Sequence, residues 1–301
     1  MSAAVVRALA VAGSLTLPAQ AVQRTGPTQA PRLPRPVTAA FTLHDSTLSG
    51  PATVTAGHVI LKLNNRTTQP HQVALLRLPQ GADPLTVLRG MRNTRRVTSE
   101  PGFTNAGGIG PLLPGDSGSL LLRLLPGRYL VYCHLNARDG DPYFRHGVAT
   151  FFEATGPGVT QQPSETALSA LLVTDAVMTF AQTMQRGDRR VPRGGTNRGT
   201  RLVRGRHSIQ IDNFGGQGHA VVILRTVDLK AMSGYVAWLD GRSATVPPMV
   251  SGVPALPSGG QTVFLRLNLE PGAYTVFCPN HHIRTGMRGF QTGEFTQFVV
   301  S

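Results

Sequence analysis

The sequence predicts an all-β chain of two tandem Greek-key β-sandwich domains, each carrying a short helix in its mid-domain connection. Three observations carry this expectation. Apolar and polar residues alternate with period two over Gly57–Asn65 and Gly205–Asn213, the signature of strands with one buried face. Glycine (34) and proline (23) are abundant, while charged residues make up only 15% of the chain. That composition favours many turns and short elements over a helical bundle. Finally, the chain repeats itself, and 301 residues accommodate two domains of ordinary size.

Residues 1–21 read as a secretory signal peptide. Arg7 is a short positive region, Ala8 to Leu17 is an apolar stretch too short to span a bilayer, and Ala19-Gln20-Ala21 is a small-residue cleavage site. No cysteine stands there to carry a lipid, and no later run reaches transmembrane length. The expectation is a soluble protein, secreted or periplasmic, cut near Ala21. Residues 22–36 are a Pro-rich, extended lead-in.

The internal repeat organises the rest of the chain. Gly57 to Asn65 matches Gly205 to Asn213, and six residues past each asparagine comes a histidine, His71 and His219. Farther on, Leu-Pro-Gly-Arg-Tyr-Leu-Val-Tyr-Cys133 matches Leu-Glu-Pro-Gly-Ala-Tyr-Thr-Val-Phe-Cys278. Domain 1 is expected over 37–155, a linker over 156–165 and domain 2 over 166–301, both domains mostly antiparallel β. Asp83 and Asp228 look like N-caps of the short helices, and Gly241 closes the second. Domain 2 carries an insertion, Arg186 to Arg206, with eight arginines and one acid, Asp188.

Only two cysteines occur in an exported chain. One bridge is the simple reading, but the repeat gives Cys133 and Cys278 the same place in different domains, which argues against it. Each domain then has one skeleton: a histidine after a strand and an Asn-containing turn, a cysteine ending a later strand, and a loop bearing further histidines. The loops read Cys278-Pro279-Asn280-His281-His282-Ile283-Arg284-Thr285-Gly286-Met287 and Cys133-His134-Leu135-Asn136-Ala137-Arg138-Asp139-Gly140-Asp141-Pro142-Tyr143-Phe144-Arg145-His146-Gly147-Val148.

This arrangement resembles the cupredoxins, the blue copper fold, over roughly 37–155 and 166–301. The resemblance implies one copper ion in domain 2, held by His219, Cys278, one of His281 or His282, and Met287, with Asn65 and Asn213 as hydrogen-bonding residues behind the ligands. Two imidazoles, a thiolate and a distant thioether suit copper in both redox states. Domain 1 departs from the pattern: Tyr143 stands where the family shows a second histidine, and Val148 where it shows methionine. The resemblance therefore implies a degraded copper site there, with His71, Cys133 and His146 as the remaining candidates. Domain 2 admits a second, long-loop register, in which Gly147 aligns with Gly293, Glu294 takes the methionine place, and Arg288 or Gly289 takes the histidine place.

The function implied is an exported copper-binding protein for electron transfer or copper handling. The alternative is a copper-free tandem sandwich acting as a binding or structural module. A multicopper oxidase or nitrite reductase ranks below both. The Cys133-His134 neighbours hint at it, yet no His-x-His pair occurs among the nine histidines. Ser-His-Asp, P-loop and His-Glu-x-x-His signatures are absent. The net charge of +14 comes from 29 Lys and Arg against 15 Asp and Glu. It points to an acidic redox partner or an anionic surface met through the Arg186–Arg206 loop, by salt-sensitive attraction. Nucleic acid is not expected, since no aromatic-basic module is present.

Overall fold

The computed structural model describes residues 35–94, 102–158, 167, 169–182, 200–256 and 260–301. The signal-peptide and linker readings, and the insertion as far as residue 199, lie largely outside them. No helix among the described residues is long and apolar enough to cross a membrane.

The chain is β-rich, as expected, with one short helix in each half. The first half contains β1 (Val37–His44), β2 (Thr47–Ser49), β3 (Thr53–Thr55), β4 (Gly57–Asn65), β5 (His71–Arg77), α1 (Pro84–Thr94), β6 (Thr104–Leu112), β7 (Ser117–Leu124), β8 (Gly127–Tyr132) and β9 (Ala149–Thr155). The second half repeats the order with β10 (Ser169–Val173), β11 (Met178–Gln182), β12 (Thr200–Leu202), β13 (Gly205–Asn213), β14 (His219–Leu224), α2 (Lys230–Leu239), β15 (Met249–Leu256), β16 (Thr262–Leu269), β17 (Gly272–Phe277) and β18 (Phe295–Val300). The Asp83 carboxylate accepts from the Thr86 N–H at 3.0 Å, capping α1. Gly241, at φ 72°, donates its N–H to Trp238 O and closes α2.

Each half is a sandwich. Sheet β3-β9-β8-β5-β6 faces β2-β1-β4-β7, and β12-β18-β17-β14-β15 faces β11-β10-β13-β16. The sheets are mixed rather than uniformly antiparallel, because β1 runs parallel to β4 and β10 parallel to β13. The chain leaves the first sheet through β3 in the facing layer and re-enters it in its original direction. The core repeats too. Tyr129 donates its hydroxyl to Leu125 O and stacks on Phe152, centroids 4.9 Å apart; Tyr274 does the same with Glu270 O and Phe298 at 4.8 Å.

The repeat did not foretell how the halves join. Strands β7 and β16 pair antiparallel and fuse two four-stranded sheets into one of eight. Without this pairing each would expose a strand edge. Leu120 pairs with Leu265, which lies 145 residues later, the same spacing that separates Cys133 from Cys278. A pseudo-two-fold axis therefore passes through that pair. Strands β6 and β15 meet across the same axis. Glycine is required on both: a Cβ on Gly252 would run into Val221 O and reach 2.8 Å from Gly110 O, and one on Gly108 would run into Val73 O and reach 3.0 Å from Pro254.

Candidate metal centre

Within each half the histidine that opens β5 or β14 and the cysteine after β8 or β17 come together, because those strands are neighbours in one sheet. His71 Nδ1 lies 3.5 Å from Cys133 Sγ, and His219 Nδ1 lies 3.8 Å from Cys278 Sγ. The loop before each histidine is stapled by a fully buried asparagine. Asn65 Nδ2 donates to Gln69 O at 2.8 Å, and Asn213 Nδ2 donates to Gln217 O at 3.1 Å.

The loop after each cysteine is built in the long register. Cys133 N–H donates to Val148 O and Cys278 N–H donates to Glu294 O. A 3₁₀ turn over Tyr143–His146 matches one over Gly289–Thr292, each ended by a left-handed glycine, Gly147 or Gly293. Val148 and Glu294 thus occupy equivalent positions, as do Tyr143 and Gly289.

In the second half three donors converge. His219, Cys278 and Glu294 each offer a ligand atom, and these atoms all lie within 4.8 Å of one another. All three side chains are sealed from solvent, at 0%, 1% and 0% exposure. Glu294 Oε2 lies 2.9 Å from His219 Nδ1, while Glu294 Oε1 is buried without a hydrogen-bond partner. Such an orphaned buried oxygen is costly unless something pairs with it. Gly289 makes the convergence possible, since a Cβ there would collide with Glu294 Oε2 and sit 3.0 Å from Cys278 Cβ. The opposite ring nitrogen, His219 Nε2, lies 3.1 Å from Asp175 Oδ1. Burial pushes the His219 imidazole down, but its bonds to Cys278 and Glu294 outweigh this and raise it to about 10.

The other histidines and the methionine of the loop are placed elsewhere. His281 is exposed, donates Nδ1–H to Gly286 O at 2.7 Å, and its residue bridges to Arg288. His282 is buried, with Nδ1 accepting the Arg284 N–H at 3.3 Å. Met287 is 46% exposed. None of the three belongs to the converging group, and the structure brings together only His219 and Cys278 of the five residues singled out for this half.

In the first half Tyr143 covers His71, and Val148 offers no donor. Burial lowers His71 to about 4 and raises Cys133 to about 12. His134 points away from Cys133 to Gln72 Nε2 at 2.7 Å, as alternation along a strand requires. His146 sits at the surface, 3.1 Å from Asp139. Cys133 and Cys278 are free thiols.

A copper ion asks for a soft thiolate and an imidazole, and the carboxylate adds a harder donor. Cys278, His219 and the Glu294 carboxylate fit that demand with three protein donors, without the second imidazole that the family resemblance implied. Glu294 was visible in the sequence only through the repeat alignment. Asp175 carried no motif signal in the sequence, because its role depends on a turn meeting a distant loop.

No family model matches the chain, and no curated protein does. Solved structures do. Auracyanin A, a blue copper protein of Chloroflexus aurantiacus, is 13% identical, covering 40% of this chain and 100% of its own, with a TM-score of 0.29. An azurin of Methylomonas sp. strain J is 14% identical over 46% of this chain and 99% of its own, at 0.28. The copper nitrite reductase of Nitrosomonas europaea is 11% identical over 89% of this chain and 94% of its own, at 0.24.

Proposed function

We propose that this chain is an exported copper-binding protein of cupredoxin-like architecture, with one ion held in its second half for electron transfer or copper handling. The ligands are His219 Nδ1, Cys278 Sγ and the Glu294 carboxylate. The observation that carries this reading is the convergence of a buried carboxylate, an imidazole and a thiol, with one oxygen of that carboxylate buried without a hydrogen-bond partner. Copper bound there would supply one-electron redox chemistry, while the protein excludes water and fixes the donors in advance. Burial of all three donors favours electron transfer or storage over turnover of a substrate at the metal. It also disfavours a thiol nucleophile at Cys278, despite the His219–Asp175 contact that such chemistry would use. Placing Glu294 where the family uses a thioether favours the more highly charged oxidised ion.

A second reading has its own support. His219 is bonded to a carboxylate at both ring nitrogens, so the imidazole is already partnered on both sides without a metal, as an ion triad. Under that reading the chain is a metal-free tandem module. Titration of the purified protein with Cu²⁺ separates the two. The copper reading expects one ion per chain, a thiolate-to-copper absorption band lost in C278S, and a rise in melting temperature set by the affinity. Absence of binding at micromolar copper would leave the module.

A further inference from the structure

We infer that Asp175 is a positioning residue for the metal centre: it holds the Nε2–H of His219 so that the Nδ1 lone pair is directed at the ion. This rests on the copper reading above and deepens it.

The carboxylate of Asp175 lies in the turn between β10 and β11 and is held at both oxygens. Oδ2 accepts the Gly216 N–H at 3.0 Å, and Oδ1 accepts the Gln217 N–H at 3.3 Å. With those bonds made, Oδ1 stands 3.1 Å from His219 Nε2. The turn itself is fixed by Thr174, whose Oγ1 accepts the Val177 N–H at 3.0 Å. The loop that crosses this contact carries Gly215, where a Cβ would collide with Asp175 Oδ1 and reach 2.6 Å from His219 Nε2. Sequence at three separate places, Asp175, Gly215 and His219, is thus consistent with one contact.

Chemistry explains what the contact does. A neutral imidazole has one N–H and one lone pair, and a partner that accepts from one nitrogen commits the other to a metal. A carboxylate in that place also makes the ligand more basic and prevents the ring from rotating. Asp175 is 35% exposed while His219 is fully buried, so the device reaches from the surface to the innermost ligand. In the first half, where Tyr143 covers His71, burial lowers the histidine to about 4.

The test compares the wild-type full chain with D175A and D175N, using Cu²⁺ in competition with a chelator, EPR of the Cu²⁺ form, and ¹H–¹⁵N spectra of the Zn²⁺ form. We expect both variants to bind Cu²⁺ about 10–100-fold more weakly with altered EPR parameters. We also expect an exchange-protected His219 Nε2–H in wild type that is lost in D175A. Asparagine keeps the size of the residue, so D175N carries the comparison if D175A does not fold. Variants within twofold of wild type, with unchanged EPR and a retained Nε2–H, would overturn this inference alone. A wild-type protein that takes up no metal overturns the copper reading and this inference with it.

Discussion

Tyr143 lies across His71, the ring centroids 4.2 Å apart and the planes tilted by 52°, at the position where the second half has Gly289. The first half therefore keeps a histidine and a cysteine 3.5 Å apart but fills the space a third donor would need. Replacing Tyr143 by Gly and Val148 by Glu together would give it the donor set of the second half. The double variant should bind two copper ions per chain where wild type binds one, read by elemental analysis. It should lose on the order of 3 kcal/mol of metal-free stability, because a half-buried ring is removed and a carboxyl is buried. A folded double variant that still takes one ion would show that His71 and Cys133 have lost more than a third ligand.

Glu294 can be examined by E294Q, which keeps the shape, and by E294V, which installs the residue found at the equivalent position of the first half. Both should weaken Cu²⁺ binding at least tenfold. Both should also destabilise the metal-free protein by about 3–5 kcal/mol, since one member of a buried ion pair is left behind, measured by urea denaturation without metal. A loss of metal-free stability unaccompanied by weaker copper binding would favour the ion-triad reading.

These two residues also show what the sequence made legible. Strand order, both helices and the His–Cys pairing are set by period-two runs and by a repeat exact enough to align at single positions. The repeat even contained the long register, through Gly147 and Gly293. Motif spacing pulled the other way, toward His281, His282 and Met287, because three donor-type residues in seven positions look like a ligand loop. The two histidines instead bond within the loop, as His281 does to Gly286 O, and Met287 is exposed. Asp175 and the Leu120–Leu265 seam were illegible for a different reason: each is a contact between segments that no local pattern links.

Acid should weaken the first half before the carboxylates titrate. Burial lowers both His71 and His134 to about 4, against 6.5 for an ordinary histidine. Below pH 6.5 the unfolded chain takes up protons at these sites while the folded chain does not. Stability is therefore full above pH 6.5 and is lost as the pH falls toward 4, by at most about 3 kcal/mol per histidine. Urea midpoints measured between pH 7 and 4 should show this slope, and H71N or H134N should flatten it. An unchanged slope in both variants would place the acid sensitivity elsewhere.

The seam between the halves offers the last test. Leu120 and Leu265 are both fully buried and pair with each other across the pseudo-two-fold axis. Truncating either to alanine should cost about 2–5 kcal/mol, the range for a core leucine that leaves a cavity. The two losses should not add, because neighbours sharing one cavity couple by about 0.5–3 kcal/mol. Their position also bears on cooperativity. If the eight-stranded sheet makes the halves one cooperative unit, L120A should lower the unfolding midpoint of second-half probes such as Trp238 fluorescence as much as that of the whole-chain far-UV signal. If the halves unfold independently, the Trp238 transition in L120A should separate from the far-UV transition. Coincident transitions in L120A and L265A would establish that the seam binds two repeats into a single folding unit.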